Sequence, residues 1–212
     1  MTTPADIMRQ AINYQLRGAN TAMPGSIVSY DYTQQKAQVQ PDLRRKYKDG
    51  SVQSMPELVN VPVIFPQGGG FHMHWPLNPG DTVLLVFSQR SMDEWLKSGG
   101  EVTPQDPRML DLSDAIAIPG LIPFSPASPA ADNQNFNLEM GSARMRISPS
   151  GQFCFRGVSE ELMSILDEMF SAIQAITVAA DQAGVPNPVI PINNLATFTA
   201  LQARFNTLKG SC

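Results

Sequence analysis

The residues best suited to chemistry in this sequence are two histidines separated by a single residue. His72 and His74 lie in a segment predicted to be a β-strand, where side chains two positions apart face the same side. Two imidazoles on one face are candidate metal ligands, but no Cys, Asp or Glu lies in the segment to complete a tetrahedral set. A symmetric trimer would gather the imidazoles of three chains only if this strand reached its axis. The sequence therefore predicts no bound metal and no other cofactor.

A glycine run and a few acidic residues are the other candidates for a reactive site. Gly68-Gly69-Gly70 lacks the Lys-Ser/Thr pair and the following helix of a phosphate-binding loop, which favours a flexible turn. Asp93, Asp111 and Asp114 are predicted to be turn and cap residues. Because no nucleophile, base and orienting group assemble in the sequence, we expect a protein that is not an enzyme.

Composition narrows the class of partner. The chain has 212 residues, of which 42% are hydrophobic and 16% charged, and a net charge of -4. An acidic chain lacks the positive field that concentrates nucleic acid, so no nucleic-acid partner is expected. The basic cluster at 44–48 is interpreted as a strand edge protected against aggregation.

No apolar stretch approaches the ~18 residues of a membrane span and no signal peptide is visible, which predicts a soluble protein. Cys154 and Cys212 are expected to be free thiols, too few for a disulfide framework.

The elements that position these residues begin with an N-terminal arm, residues 1–22. Thr3 as N-cap, Pro4 in the first turn and apolar residues at helical spacing predict a helix from Thr3 to about Arg17. Residues 23–123 are predicted to form an OB-fold β-barrel, because short β-branched and aromatic runs alternate with turn residues. Val83, Leu85 and Phe87 are assigned to its core. The predicted strands are 27–32, 36–40, 57–65, 70–75, 81–88 and 115–119.

The C-terminal half changes character twice. A proline-rich linker at 124–135 precedes a short intertwined β segment at 136–158, with alternating runs at 137–147 and 152–156. Two strands alone are marginal in water and need copies of themselves or another surface. Residues 159–212 form a helical hairpin, broken at 184–192 by three prolines. The fold class is therefore mainly β with C-terminal α.

The first helix of this hairpin carries a heptad seam. Apolar residues from Leu162 to Ala179 recur at alternating spacings of three and four, which is typical of a helix buried in a bundle of several chains. The last helix, capped by Asn193 or Asn194, is apolar along one side. The predicted trimer-interface residues are Leu162, Ile165, Met169, Ala172, Ile176, Phe198, Leu201 and Phe205.

The order of motifs from Asp6 to Pro123 resembles a known family. After the helix come Val-Pro-Val, Pro-Leu-x-Pro-Gly-Asp, Phe-Ser-Gln-Arg-Ser-x-Asp-x-Trp and Leu-Ser-Asp-Ala-Ile. Together they are similar to the N-terminal OB-fold domain of the central spike proteins of contractile-tailed bacteriophages. The resemblance implies a homotrimer in the virion, in the tail baseplate, which is assembled in the host cytoplasm. It also implies contact with baseplate hub and tail tube proteins.

The same resemblance implies a mechanical function. The β segment would form a short β-prism or β-helix, and the helices would form a bundle. Together they would plug the tail tube and, when the sheath contracts, pierce the host envelope in transient contact with the outer membrane. Spikes of this family often end in a His-x-His apex that binds iron, whereas His72 and His74 lie inside the barrel, so the iron site is not carried over. A separate tip protein, or contact of the helical tail with the membrane or hub, would complete the spike.

Two other functions stay open at this stage. An OB-fold barrel with Tyr30, Tyr32 and Tyr47 near its binding face could bind oligonucleotides or oligosaccharides, although the acidic charge argues against the former. A tail-associated cell-wall hydrolase is the second alternative, but no insertion is long enough to hold such a domain.

Overall fold

The chain divides into two compact units, Met1–Ser128 and Pro129–Cys212. The computed structural model describes residues 3–47, 49–124, 132–175, 177–179, 189–191 and 195–208. Most of the predicted linker, 125–131, lies outside the described residues. Among the helices that are described, none combines the length and apolar character needed to cross a membrane.

The first unit begins with helix α1, Pro4–Gly18, which confirms the predicted N-terminal helix. The Thr3 hydroxyl accepts a hydrogen bond from the Asp6 N–H at 3.3 Å, and the Asp6 carboxylate accepts one from the Thr3 N–H at 3.1 Å. This reciprocal pair is a capping box, and Pro4 at the first helical position loses no hydrogen bond. The large apolar side chains of α1 are exposed, namely Ile7, Met8, Ile12, Tyr14 and Leu16.

A curled half-barrel sheet forms the body of the first unit. The strands of this unit are β1 (Ala22–Asp31), β2 (Lys36–Pro41), β3 (Arg45–Lys46), β4 (Val52–Gln53), β5 (Leu58–Pro62), β6 (Gln67–Gly68), β7 (Phe71–His72), β8 (Thr82–Phe87) and β9 (Ala115–Pro119). Five of them pair antiparallel in the order β5-β2-β1-β8-β9. The edges approach each other, because Val63 forms a parallel bridge with Ala117 and the Ile64 N–H donates to the Ala117 carbonyl at 2.9 Å.

The hydrophobic core lies inside this curl. Strand β8 is almost continuously apolar, yet its burial alternates: Val83, Leu85 and Phe87 point inward and are buried, while the residues between them are half-buried. The three core residues predicted from the sequence are therefore confirmed. Alternation arises because successive side chains on a strand face opposite sides.

Residues 88–114 form a long excursion between β8 and β9. It contains helix α2 (Asp93–Ser98) and a 3₁₀ turn (Leu112–Asp114). Asp111 caps the 3₁₀ turn and Asp114 ends it, as predicted, but Asp114 is also buried, which the sequence did not indicate. The Asp114 side chain is only 1% exposed and accepts hydrogen bonds from Arg108 Nε at 2.7 Å and Nη2 at 2.8 Å. Arg108 also pairs with the exposed Asp93 at 2.9 Å, so two ion pairs of one arginine link α2 to the end of the excursion.

The second unit begins with a three-stranded antiparallel sheet, not the two strands predicted. Its strands are β10 (Phe136–Met140), β11 (Ala143–Ile147) and β12 (Phe153–Arg156). The run predicted as one strand, 137–147, is broken by a turn in which Gly141 has a φ of 60°. Such a conformation favours glycine, which explains the break.

Helical and extended segments complete the second unit. They are α3 (Leu162–Gln174), β13 (Thr177–Ala179), β14 (Val189–Pro191) and α4 (Leu195–Leu208). The heptad predicted α3 to continue to Ala179, which is wrong, because Thr177–Ala179 pairs antiparallel with Val189–Pro191. Thr177 and Val178 are β-branched residues, which favour extended structure once a partner strand is available.

Cys154 differs from its predicted state. Its side chain is fully buried in β12 and disulfide-bonded, so the prediction of a free thiol at this position is wrong. Cys212 lies outside the described residues.

Candidate functional site

One face of the β10–β12 sheet is apolar throughout, and we call it the apolar sheet face. The strand register pairs Phe136 with Ile147 and Leu138 with Met145, so these side chains project to the same side. On edge strand β10 the apolar side chains are between 44% and 70% exposed. The rings of Phe153 and Phe155 lie parallel with centroids 6.3 Å apart. The members of the face are Phe136, Leu138, Met140, Ala143, Met145, Ile147, Phe153 and Phe155.

The opposite face of the same sheet carries polar and charged side chains together with the fully buried Cys154. Arg146 Nε donates to the Asn137 side chain at 3.1 Å, and Arg144 lies 3.8 Å from Glu139. Asp132, in the turn before β10, lies 3.9 Å from Arg146. Hydrogen bonds to the Asp132 carboxylate, first from the Asn135 amide, hold its pKa well below the ordinary value. The exposed apolar side chains of β10 thus lie on one face of the sheet and the ion-paired side chains on the other.

A second apolar surface runs along α3. Leu162, Ile165 and Met169 follow the three-and-four spacing, lie on one face and are each between 46% and 49% exposed. We call these three residues the helix seam. Since Leu, Ile and Met at heptad spacing normally pack against a neighbouring helix, their exposure marks a surface that lacks a partner within the described part of the chain.

Glu161 ties the start of α3 to the sheet. Its carboxylate accepts hydrogen bonds from the N–H groups of Met163 at 3.0 Å, Ser164 at 2.7 Å and Phe155 of β12 at 3.2 Å. Partial burial by itself would raise the pKa of Glu161, but these hydrogen bonds outweigh it and lower the pKa. The carboxylate at this helix end also complements the helix dipole. The helix seam and the sheet are therefore held together within the second unit.

The other predicted interface residues fall in different environments. Phe205 of α4 packs against Phe170 of α3 in the same chain, with ring centroids 5.7 Å apart. Leu201 and Ala172 are exposed and Phe198 is half-buried, while Ile176 lies outside the described residues. The predicted helical hairpin is thus present, joined also by Gln202 of α4, whose amide contacts the Gln174, Asp167 and Ser171 side chains.

The two histidines do not share a strand. The strand predicted over 70–75 is only Phe71–His72 long, so His74 lies beyond its end, and both side chains are exposed. Nowhere in the described residues do three His, Cys, Asp or Glu side chains come together as a metal site. Gly68 ends β6, Gly69 and Gly70 form the tight turn to β7, and all three glycines have positive φ. A glycine-rich turn is what the sequence predicted here.

Sequence reasoning identified the helix seam but missed the apolar sheet face. The signal was present, because Phe136, Leu138 and Met140 alternate with Asn137 and Glu139 along the chain. A period of two predicts not only a strand but also that these three residues share one face of it. The Arg108–Asp114 pair was missed for another reason, since nothing in the local sequence marks Asp114 as buried.

Comparison with known proteins adds evidence for the first unit. Residues 23–120 match the family model of the phage protein Gp138 N-terminal domain. The match indicates a phage structural protein. It runs from the second residue of β1 to the residue after β9, so it contains the whole curled sheet, and it supports a location in the virion. The second unit lies outside the matched residues, and no curated protein matches the chain.

Proposed function

We propose that this protein is the non-enzymatic central spike of a phage tail baseplate, a homotrimer that plugs the tail tube and pierces the host envelope on sheath contraction. The observation that carries the proposal is the pair of exposed apolar surfaces in the second unit. A single chain exposes Phe136, Leu138 and Met140 on the sheet and the helix seam on α3. Three copies around one axis would bury both sets against their own duplicates.

The two faces of the sheet support this arrangement. With the apolar sheet face turned toward the axis, the opposite face, which carries the ion pairs of Glu139, Arg144 and Arg146, would point away from it. Each half-exposed apolar side chain would gain about 1 kcal/mol on burial. Summed over three chains, this gain can outweigh the entropy lost on association.

The first unit supports the baseplate end of the proposal. The strand order β5-β2-β1-β8-β9, with the Val63–Ala117 bridge joining the edges, agrees with a five-stranded OB-type barrel. The phage domain match covers this same sheet. In the proposed spike this unit docks to hub and tail tube proteins, and the second unit is the piercing element.

Replacing Ile165 and Met169 together with aspartate tests the proposal. Placing two charges on the helix seam should convert the trimer to monomers, because each buried charge costs several kcal/mol without a partner. Mass in solution, measured by light scattering coupled to size exclusion, reports the result. The matched control is Thr197→Asp with Asn206→Asp, which adds the same charge at exposed polar positions of α4 and should leave the trimer intact.

A second variant separates the two surfaces. Leu138→Asp places a charge on the apolar sheet face and should also weaken the trimer. If the helix-seam variant stays trimeric while Leu138→Asp does not, the sheet and not the seam holds the assembly. A wild-type chain that remains monomeric at high concentration contradicts the proposal itself.

A further inference from the structure

A pocket of about 430 Å³ lies on the first unit, and its lining residues include no member of the apolar sheet face or the helix seam. One wall is the tip of the β1–β2 hairpin, with Tyr30, Tyr32 and Gln35, and the other is the loop before β8, with His74 and Trp75. Leu77 is buried at its base. Pockets of this size that combine aromatic walls with a few polar groups are typical small-ligand sites.

Two aromatic side chains of the pocket, Trp75 and Tyr30, are held in place by packing. Trp75 meets the buried Phe65 edge-to-face with centroids 4.9 Å apart, and Phe65 meets Tyr30 in the same way at 6.5 Å. Trp75 still exposes 39% of its surface and Tyr32 80%. Two aromatic rings are thus available to a ligand, and at least the indole is fixed before a ligand arrives.

The hairpin tip is also ordered. The Asp31 carboxylate accepts hydrogen bonds from the Thr33 N–H at 2.9 Å and the Thr33 hydroxyl at 2.6 Å. The Gln35 carbonyl accepts from the Val63 N–H at 3.0 Å, which anchors the tip to the segment after β5. Backbone positions around Tyr32 and Gln35 are therefore set by the fold.

The polar groups of the pocket are unused by the protein. Within the described residues, the hydroxyls of Tyr30 and Tyr32, the Gln35 amide and the His74 imidazole form no hydrogen bond with another protein group. They supply both donors and acceptors. Burial, and then the nearby Asp31, raises the pKa of Tyr30, so its hydroxyl stays a donor at neutral pH.

We propose that this pocket binds a neutral pyranose sugar. A pyranose ring has an apolar C–H face, which suits an exposed aromatic ring, and a rim of hydroxyls, which suits neutral donors and acceptors. None of the described residues that line the pocket is Lys, Arg, Asp or Glu, so a phosphate or other ionic group would find no counter-charge among them. The inference rests on the first unit alone and does not require the trimer.

Tryptophan fluorescence of the full chain tests this assignment. The chain has two tryptophans, so Trp95→Phe leaves Trp75, inside the pocket, as the reporter. Titration with maltose and lactose as free sugars, and with dextran as a polymer, should change the emission with a dissociation constant of about 1–10 mM. Binding should be nearly constant between about 50 and 500 mM NaCl, because no charged group takes part. If dextran changes the emission and the free disaccharides do not, the pocket binds a sugar unit within a polymer.

Tyr32→Ala is the decisive variant. Because the Tyr32 ring is largely exposed, the fold does not depend on it, and its loss should weaken binding about fivefold. Tyr14→Ala on α1 is the matched control, since Tyr14 is 79% exposed and outside the pocket, and it should bind as wild type. The proposal is overturned if no sugar changes the emission or if the two variants behave alike. Salt-dependent binding of single-stranded oligothymidylate at this tryptophan instead would overturn it in favour of a nucleic-acid site.

Discussion

Replacing Gly25 with alanine should destabilise the first unit by about 1–2 kcal/mol, although alanine is one of the mildest substitutions for glycine. Gly25 lies in β1, the central strand of the half-barrel, paired with Pro41 of β2 and Val83 of β8. A Cβ at this position would come within 2.8 Å of Val39 Cγ1 and 2.9 Å of Leu85 Cδ1. Both neighbours are fully buried, so neither can move into solvent to make room.

The expected magnitude combines two opposing effects. Forcing an extra methyl into a packed core costs about 1–3 kcal/mol, and two contacts below 3.0 Å place this site in the upper half of that range. The smaller conformational entropy of the unfolded alanine chain returns about 0.5–1 kcal/mol. The net loss corresponds to a midpoint roughly 3–10 °C lower for a unit of this size. Trp75 and Trp95 both lie in the first unit, so tryptophan fluorescence during urea unfolding follows this unit specifically.

Gly18→Ala is the control for the Gly25 prediction. A Cβ at Gly18 meets nothing within 4 Å, so this variant should be unchanged or more stable by up to about 1 kcal/mol. Adding Val39→Ala to each background tests the contact directly: the second substitution should cost less in Gly25→Ala than in wild type, because it removes the clashing methyl. A Gly25→Ala protein within about 0.5 kcal/mol of wild type would refute the packing argument.

Two further predictions concern ionised groups. Asp114→Asn should destabilise the first unit by about 3–5 kcal/mol, because it leaves the Arg108 guanidinium without its buried counter-charge. The control is Asp106→Asn, which removes an exposed partner of the same arginine at 3.0 Å and should cost less than about 1 kcal/mol. Equal losses for the two variants in urea unfolding would disprove the assignment of Asp114 as the buried partner. Because the pKa of Glu161 is lowered on folding, its carboxylate stabilises α3 above the ordinary carboxyl pKa, and this contribution is lost as pH falls through the lowered value. The difference in helix stability between wild type and Glu161→Gln, followed by circular dichroism, should therefore shrink below about pH 4, and a difference that stays constant or grows there would contradict the reasoning.

Local patterns predicted the elements that depend only on neighbouring residues. Thr3 and Asp6 lie three positions apart and form the capping box that starts α1, and β9 spans Ala115–Pro119 as predicted. Helix α4 likewise covers the predicted apolar stretch from Leu195. These features are readable because caps and periodicities act over a few residues.

Local patterns failed where a distant strand or a turn competed. The heptad spacing favoured a helix through Ala179, but pairing of Thr177–Ala179 with Val189–Pro191 ends α3 at Gln174. The alternation from 137 to 147 favoured one strand, but a left-handed Gly141 folds it into two. In both cases a hydrogen-bonded ladder outweighed a propensity of a few tenths of a kcal/mol per residue.

The amino-acid sequence alone determined the mainly β class, the terminal helices, the acidic charge and the repeating apolar positions of α3. Only the tertiary structure decided which residues from different elements meet: Arg108 with Asp93 of α2 and Asp114 of the 3₁₀ turn, or Tyr30 and Trp75 around one pocket. It also decided that the apolar side chains of β10 lie together on an exposed sheet face. The physical reason is that period and composition determine which side of an element is apolar, whereas strand order and register determine what that side contacts.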